Sequence, residues 1–219
     1  MSKRRDESER RKKYRAGSFA ISAMTCPGCR AIIEEPVENC PRCGYSGHSV
    51  VKKFPFAAPT IERYIDPNGH FGPADRELID EALSELATRF PQVRFSFCVI
   101  DLEQETDPRE FGFWMLNASP VNDPGEEKLR PWTILLLIDG ANDRVSVTSG
   151  YAIEPFLNEE RWVALLQFSG RLFLRRDYGA AVLNFVEGAA GVLSEGAERT
   201  ERRLSLGKSE NLGEKGRWK

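Results

Sequence analysis

With 219 residues, 41% of them hydrophobic, the chain can bury one domain-sized core of roughly 100 to 150 residues plus a smaller appendage. Its longest apolar run, Trp132 to Ile138, is far short of the roughly 20 residues a bilayer crossing needs, and no apolar stretch follows the charged N-terminus, which argues against a membrane span or export and for a cytoplasmic protein. The formal net charge of −2 conceals basic ends: residues 1–15 carry eight Lys/Arg against three acids, residues 196–219 carry seven against four, and the body between them is acidic.

Five segments are expected in chain order: a basic disordered arm (1–17), a cysteine module (18–54), a linker (55–65), one α/β domain (66–195) and a polar disordered tail (196–219). The arm reads as a solvated charge run, with contact to nucleic acid as the alternative.

In the cysteine module, Cys26-Pro27-Gly28-Cys29 and Cys40-Pro41-Arg42-Cys43 are two CxxC pairs separated by ten residues. That is zinc-ribbon spacing, each tight turn supplying two thiolates to a tetrahedral ion. Two disulfides or a thiolate-bound iron are the alternatives, and the absence of an export signal favours metal over disulfides. Four sulfur ligands leave no open position for water, so a zinc ion here is structural. His48 is expected on the surface and Cys98 buried in a strand. If the module served nucleic acid, Arg42, Tyr45, Lys52, Lys53 and Phe54 would supply the cationic and stacking contacts.

Pro55 and Pro59 in the linker are expected to hold it extended and to separate two folding units. The domain then opens with a helix at 73–90, where Pro73 suits the first turn, Asp75 the positive end, and Ile79, Ala82, Leu83, Leu86 and Phe90 form one stripe. A strand is expected at 93–100, and a helix at 108–117 capped by Asp107 with Phe111, Trp114 and Met115 on one face. The apolar run 132–138 reads as the central strand, and the turn 139–143 leads into a strand at 144–149. Two helices close the domain, one capped by Asn158 and one from about Tyr178. The crossover helix makes strands 93–100 and 132–138 parallel, with 144–149 antiparallel beside the second. The fold class is therefore α/β: a small mixed sheet sandwiched by helices, behind an N-terminal zinc ribbon.

Catalytic signals are sparse. The two histidines, His48 and His70, give little basis for a Ser-His-Asp or Cys-His hydrolase, and no phosphate-cradling glycine motif is present. Carboxylates remain. Glu154 with Asp123 and Asn122 could offer oxygens to calcium or magnesium on one rim of the sheet, while Asp101, Asp139, Asp143 and Asp177 gather near the other. Caps, turn formers and solvated acids are the alternative reading of each.

From about 64 to 193 the chain resembles the TPM domain family. The resemblance rests on Phe113-Trp114, the strand Ile134 to Ile138, the turn Asn142-Asp143-Arg144, the segment Gly150-Tyr151-Ala152-Ile153-Glu154, and Arg176-Asp177-Tyr178. It implies a small α/β sandwich, with divalent-metal-dependent acid phosphatases and assembly factors of membrane complexes among its relatives. The family's acidic turn before the central strand is replaced here by Lys128-Leu129-Arg130-Pro131-Trp132. Topology puts that loop on the rim of Tyr151 and Glu154, so an Arg130 guanidinium beside Glu154 would oppose a divalent ion. Three functions follow: an interaction or accessory module with a protein partner, a TPM-type phosphatase using Glu154, Asp123, Tyr151 and Arg130, or a nucleic-acid-binding protein using ribbon and arm.

Overall fold

The structure, a computed structural model, describes residues 24–35, 37–122, 126–154 and 159–215. The basic arm, Asp123 and Asn158 lie outside the described residues. It contains a two-stranded hairpin, β1 (Met24–Thr25) and β2 (Ile32–Ile33), followed by α1 (Gly47–Lys53) and β3 (Tyr64–Ile65). Then come α2 (Pro73–Arg89), β4 (Arg94–Ile100), α3 (Pro108–Ala118), β5 (Thr133–Asp139), β6 (Arg144–Ser149), α4 (Glu159–Leu174) and α5 (Tyr178–Lys215), with a 3-10 segment at Glu126–Trp132 ahead of β5.

The main sheet has the order β3-β4-β5-β6. β4 pairs parallel with β5, from Arg94 opposite Thr133 to Ile100 opposite Asp139, and β6 pairs antiparallel with β5. This is the mixed sheet expected from the helical crossover. The added strand is β3, parallel to β4, at the end of the segment read as a linker. Tyr64 and Ile65 suit a strand, and Asp66-Pro67 ends it after two residues. The Arg63 carbonyl accepts from Phe97 N–H at 2.7 Å and the Glu62 carbonyl from the Ser96 hydroxyl at 2.5 Å.

The described chain divides into two compact units, one of residues 24–68 with 92–154 and one of residues 69–91 with 159–215. The sheet unit contains the cysteine module. Cys26, Cys40, Tyr45, Val50 and Phe54 share one buried cluster with Cys98, Phe111, Trp114, Met115, Leu135 and Leu137. The expectation that the prolines separate the cysteine module from the sheet is thus corrected. Phe54, at the C-terminal end of α1, lies 5.3 Å from the Phe111 ring and 5.2 Å from that of Trp114, and Lys53 pairs with Glu110. α1 is fixed for this by a capping box between Ser46 and Ser49.

α3 forms where Asp107 accepts the Arg109 N–H at 2.8 Å and Pro108 takes the first position. Its buried face is Phe111, Gly112, Trp114, Met115 and Leu116. A Cβ on Gly112 would collide with the Thr148 hydroxyl, so glycine lets α3 lie close on β6.

The second unit is helical. In α2, Ile79, Leu83 and Leu86 are buried, and Asp75 reaches back to the Gly72 N–H at 2.9 Å. Trp162 of α4 stacks on Phe185 of α5 with centroids 5.4 Å apart. α5 runs to Lys215, which corrects the expected disordered tail at 196–219 as far as that residue. Glu198 and Arg202 pair one turn apart at 3.3 Å, and Glu, Lys, Arg and Leu in this stretch are good helix formers.

Candidate metal centre

The two CxxC turns are built alike. In the first, Cys26 N–H bonds the Ala31 carbonyl and Arg30 N–H bonds the Cys26 carbonyl, both at 2.9 Å. In the second, Cys40 N–H bonds the Tyr45 carbonyl at 2.7 Å and Gly44 N–H the Cys40 carbonyl at 2.8 Å. The residue after the second cysteine is left-handed in both, Gly44 at φ 73° and Arg30 at φ 61°. β1 and β2 close the first turn, pairing Thr25 with Ile32. Gly28 permits the turns to approach, because a Cβ there would press on the Tyr45 ring.

The outcome is a cluster in which the Sγ atoms of Cys26, Cys29, Cys40 and Cys43 all lie within 4.8 Å of one another. Cys26 and Cys43 are 3.7 Å apart, and Cys29 and Cys40 are 3.6 Å apart. Among the described residues no other group of three or more His, Cys, Asp or Glu converges in this way. Burial pushes the Cys26 thiol up to about 12; burial acts the same way on Cys40, but the N–H groups of Cys43 and Arg42 prevail and lower it to about 7. Four thiolates this close would need a cation between them, and four converging cysteine sulfurs are a ligand set that could hold a structural metal ion. His48, exposed on α1, stands outside it.

The residues weighed for nucleic acid divide differently. Tyr45 and Phe54 are 9% and 5% exposed, inside the shared core, and Lys53 is paired with Glu110. Burial, with the Glu110 charge adding to it, raises the Tyr45 hydroxyl above its ordinary value. Their aromatic faces are therefore unavailable for stacking on bases, which corrects that part of the expectation; Arg42 and Lys52 are exposed.

Glu154 follows β6 on the rim the topology placed it on. Ala152 N–H bonds the Pro131 carbonyl at 3.0 Å, and a Cβ on Gly150 would collide with the carbonyls of Arg130 and Pro131. The loop before β5 and the loop after β6 are thus adjacent, and only glycine fits between them. The Glu154 carboxylate accepts the Thr25 N–H at 2.6 Å, one residue before Cys26. Arg130 is not the neighbour expected for it. Its guanidinium pairs with Glu127 at 2.8 Å and donates to the carbonyls of Leu116 at 2.8 Å and Ser119 at 2.7 Å, because the end of α3 presents unpaired carbonyls to it. Tyr151 is 46% exposed, and Asn122 donates to Glu62 at 3.1 Å.

On the other rim, Asp139 is fully buried. It accepts from the Leu102 N–H at 3.1 Å, from Asn142 at 2.9 Å and from Arg144 at 2.6 and 2.8 Å. Burial alone would raise its pKa; the Leu102 N–H, Asn142 and Arg144 outweigh that and hold it below the ordinary carboxylate value. It is a locked structural acid, whereas Asp101 and Asp143 are exposed. Asp177, in the helical unit, lies just before α5 and accepts the Ala180 N–H at 3.4 Å. Cys98 is buried as its strand position implied, and His70 stands edge-on to Tyr178 at 5.2 Å. The Arg144 partner of Asp139 was not anticipated from the sequence, although its place five residues after Asp139 across a tight turn was a usable signal.

No helix among the described residues is long and apolar enough to cross a membrane. No family model matches the chain, and no curated protein matches it. Solved structures do. The N-terminal domain of the cg2496 protein from Corynebacterium glutamicum, determined by NMR, is 13% identical with a TM-score of 0.46, over 61% of this chain and 81% of that one. The BA42 protein from the psychrophilic bacterium Bizionia argentinensis, also an NMR structure, is 10% identical with a TM-score of 0.42, over 57% of this chain and 83% of that one.

Proposed function

We propose that the chain is a non-catalytic interaction or accessory module of the cytoplasm, a TPM-like α/β body to which a zinc-ribbon-like module is fastened. Cys26, Cys29, Cys40 and Cys43 hold one structural zinc ion whose closed sulfur shell supplies no reacting water. The observation that carries this reading is the commitment of Glu154, the carboxylate the TPM resemblance offers for a divalent ion, to the Thr25 N–H beside Cys26. Arg130 is likewise engaged at the end of α3. Ile32, Val51 and Phe56, each more than half exposed on the metal-bearing unit, suit a protein partner better than a polyanion.

Calorimetry with calcium and magnesium, alongside phosphomonoester turnover, tests the reading on the full chain. The expected result is no divalent binding and no turnover above that of Glu154→Gln. Tight divalent binding lost in that variant together with turnover would put the TPM-type phosphatase first.

A further inference from the structure

The four ligands differ sharply in access. Cys26 is fully buried and Cys40 2% exposed, Cys29 is half-buried, and Cys43 is exposed. The sulfur that solvent reaches best thus lies 3.7 Å from one that solvent does not reach. Cys26 also belongs to the same buried cluster as Phe54, Trp114 and Leu135, so an event at Cys43 can be passed to the floor of the sheet unit by a change at Cys26. We propose that the cluster is a peroxide-responsive switch in which Cys43 is the sensing thiolate and Cys26 the resolving one. The proposal rests on the zinc reading above.

The chemistry balances with hydrogen peroxide as oxidant. The Cys43 thiolate attacks one peroxide oxygen, an S–O bond forms as the O–O bond breaks, and hydroxide leaves, giving a sulfenic acid. The Cys26 thiolate then attacks that sulfur, forming the S–S bond and expelling a second hydroxide. Two electrons pass from the sulfurs to the peroxide, and two protons from solvent convert the hydroxides to water. With Cys26 and Cys43 joined, only Cys29 and Cys40 would remain to hold a zinc ion, which would be released. Closing the pair from 3.7 Å to the roughly 2.05 Å of a disulfide moves Cys26 within its packed surroundings. Cys98, the remaining cysteine, is buried beside Met115 and takes no part.

The test uses the full zinc-loaded chain, titrated with hydrogen peroxide while released zinc is followed with a chromogenic chelator. Peptide mapping without reduction reads the disulfide, and timed alkylation ranks the cysteines by reactivity. Expected are zinc release in step with a Cys26–Cys43 disulfide, Cys43 alkylated first, and recovery with reductant and zinc. In Cys43→His, whose imidazole can still bind zinc, release should slow at least about tenfold, as removal of the only freely exposed thiolate requires. Alkylation order in the wild-type chain decides the matter even if that variant fails to fold. Retention of zinc in excess peroxide, a first reaction at Cys29, Cys40 or Cys98, or unchanged release from folded Cys43→His overturns the switch and leaves the zinc reading standing. A chain that purifies with iron or with no metal overturns both.

Discussion

The two compact units bury apolar surface by different means. The helical unit uses faces repeated along each helix, such as Ile79, Leu83 and Leu86 in α2 and Val182, Phe185, Val186 and Ala189 in α5. The sheet unit joins pieces distant in sequence, Phe54 to Trp114 and Thr25 to Glu154, around a cysteine cluster. A helical face is complete once its neighbours in sequence are in place. The sheet unit's core also takes in four converging cysteine sulfurs, which as thiolates would need a cation between them. The cysteine cluster, compact as a ribbon in sequence, is therefore built into the core of the sheet unit, with Cys26 and Cys40 in the same buried cluster as Trp114 and Leu135.

That comparison breaks most readily at Phe54. Phe54→Ala removes a ring packed against both Phe111 and Trp114 and should cost about 3 to 5 kcal/mol in chemical denaturation. A cost under about 1 kcal/mol, typical of a surface change, would mean the cysteine module only rests on the sheet.

Asp139→Asn comes next. It leaves the Arg144 guanidinium facing a neutral amide and should cost about 2 to 3 kcal/mol near neutral pH. Because the folded Asp139 pKa is held below the ordinary value, its charge stabilises the fold above the unfolded pKa of about 3.9, and that contribution disappears as pH falls through the folded value. The gap between wild type and variant should therefore narrow in acid. Stability curves that stay parallel down to about pH 2, well below the unfolded pKa, would contradict this.

The smallest expected effect sharpens the likeness between the two CxxC turns. Arg30 holds the left-handed conformation that Gly44 takes in the other turn, so Arg30→Gly should stabilise the metal-loaded protein by about 0.5 to 1 kcal/mol. Destabilisation would show that the Arg30 side chain contributes more than its backbone strain costs.

How much of this was legible depended on the range of each interaction. The CxxC pairs, the Asp107 cap, the Ile79–Leu83–Leu86 stripe and the parallel crossover are local patterns, and each is where the sequence puts it. Phe54, read as a stacking residue at the edge of a proline linker, packs inward because Trp114 faces it, which nothing nearby in sequence reveals. Arg130 and Glu154 share a rim as the topology implied, yet each side chain answers to an unpaired backbone group, at the end of α3 and at Thr25, that only the folded chain brings within reach. The two-residue strand β3 was too short for periodicity to register.

If the cysteine cluster holds a metal and shares one core with the sheet, hydrogen exchange on the full chain before and after adding a chelator will show it. Removing the metal should expose the amides of 24–54 and, with them, those of α3 across 108–118, whose Phe111 and Trp114 pack against Phe54. Exchange that rises only within 24–54, with α3 as protected as before, would contradict the account and restore the cysteine module to the status of an independent appendage.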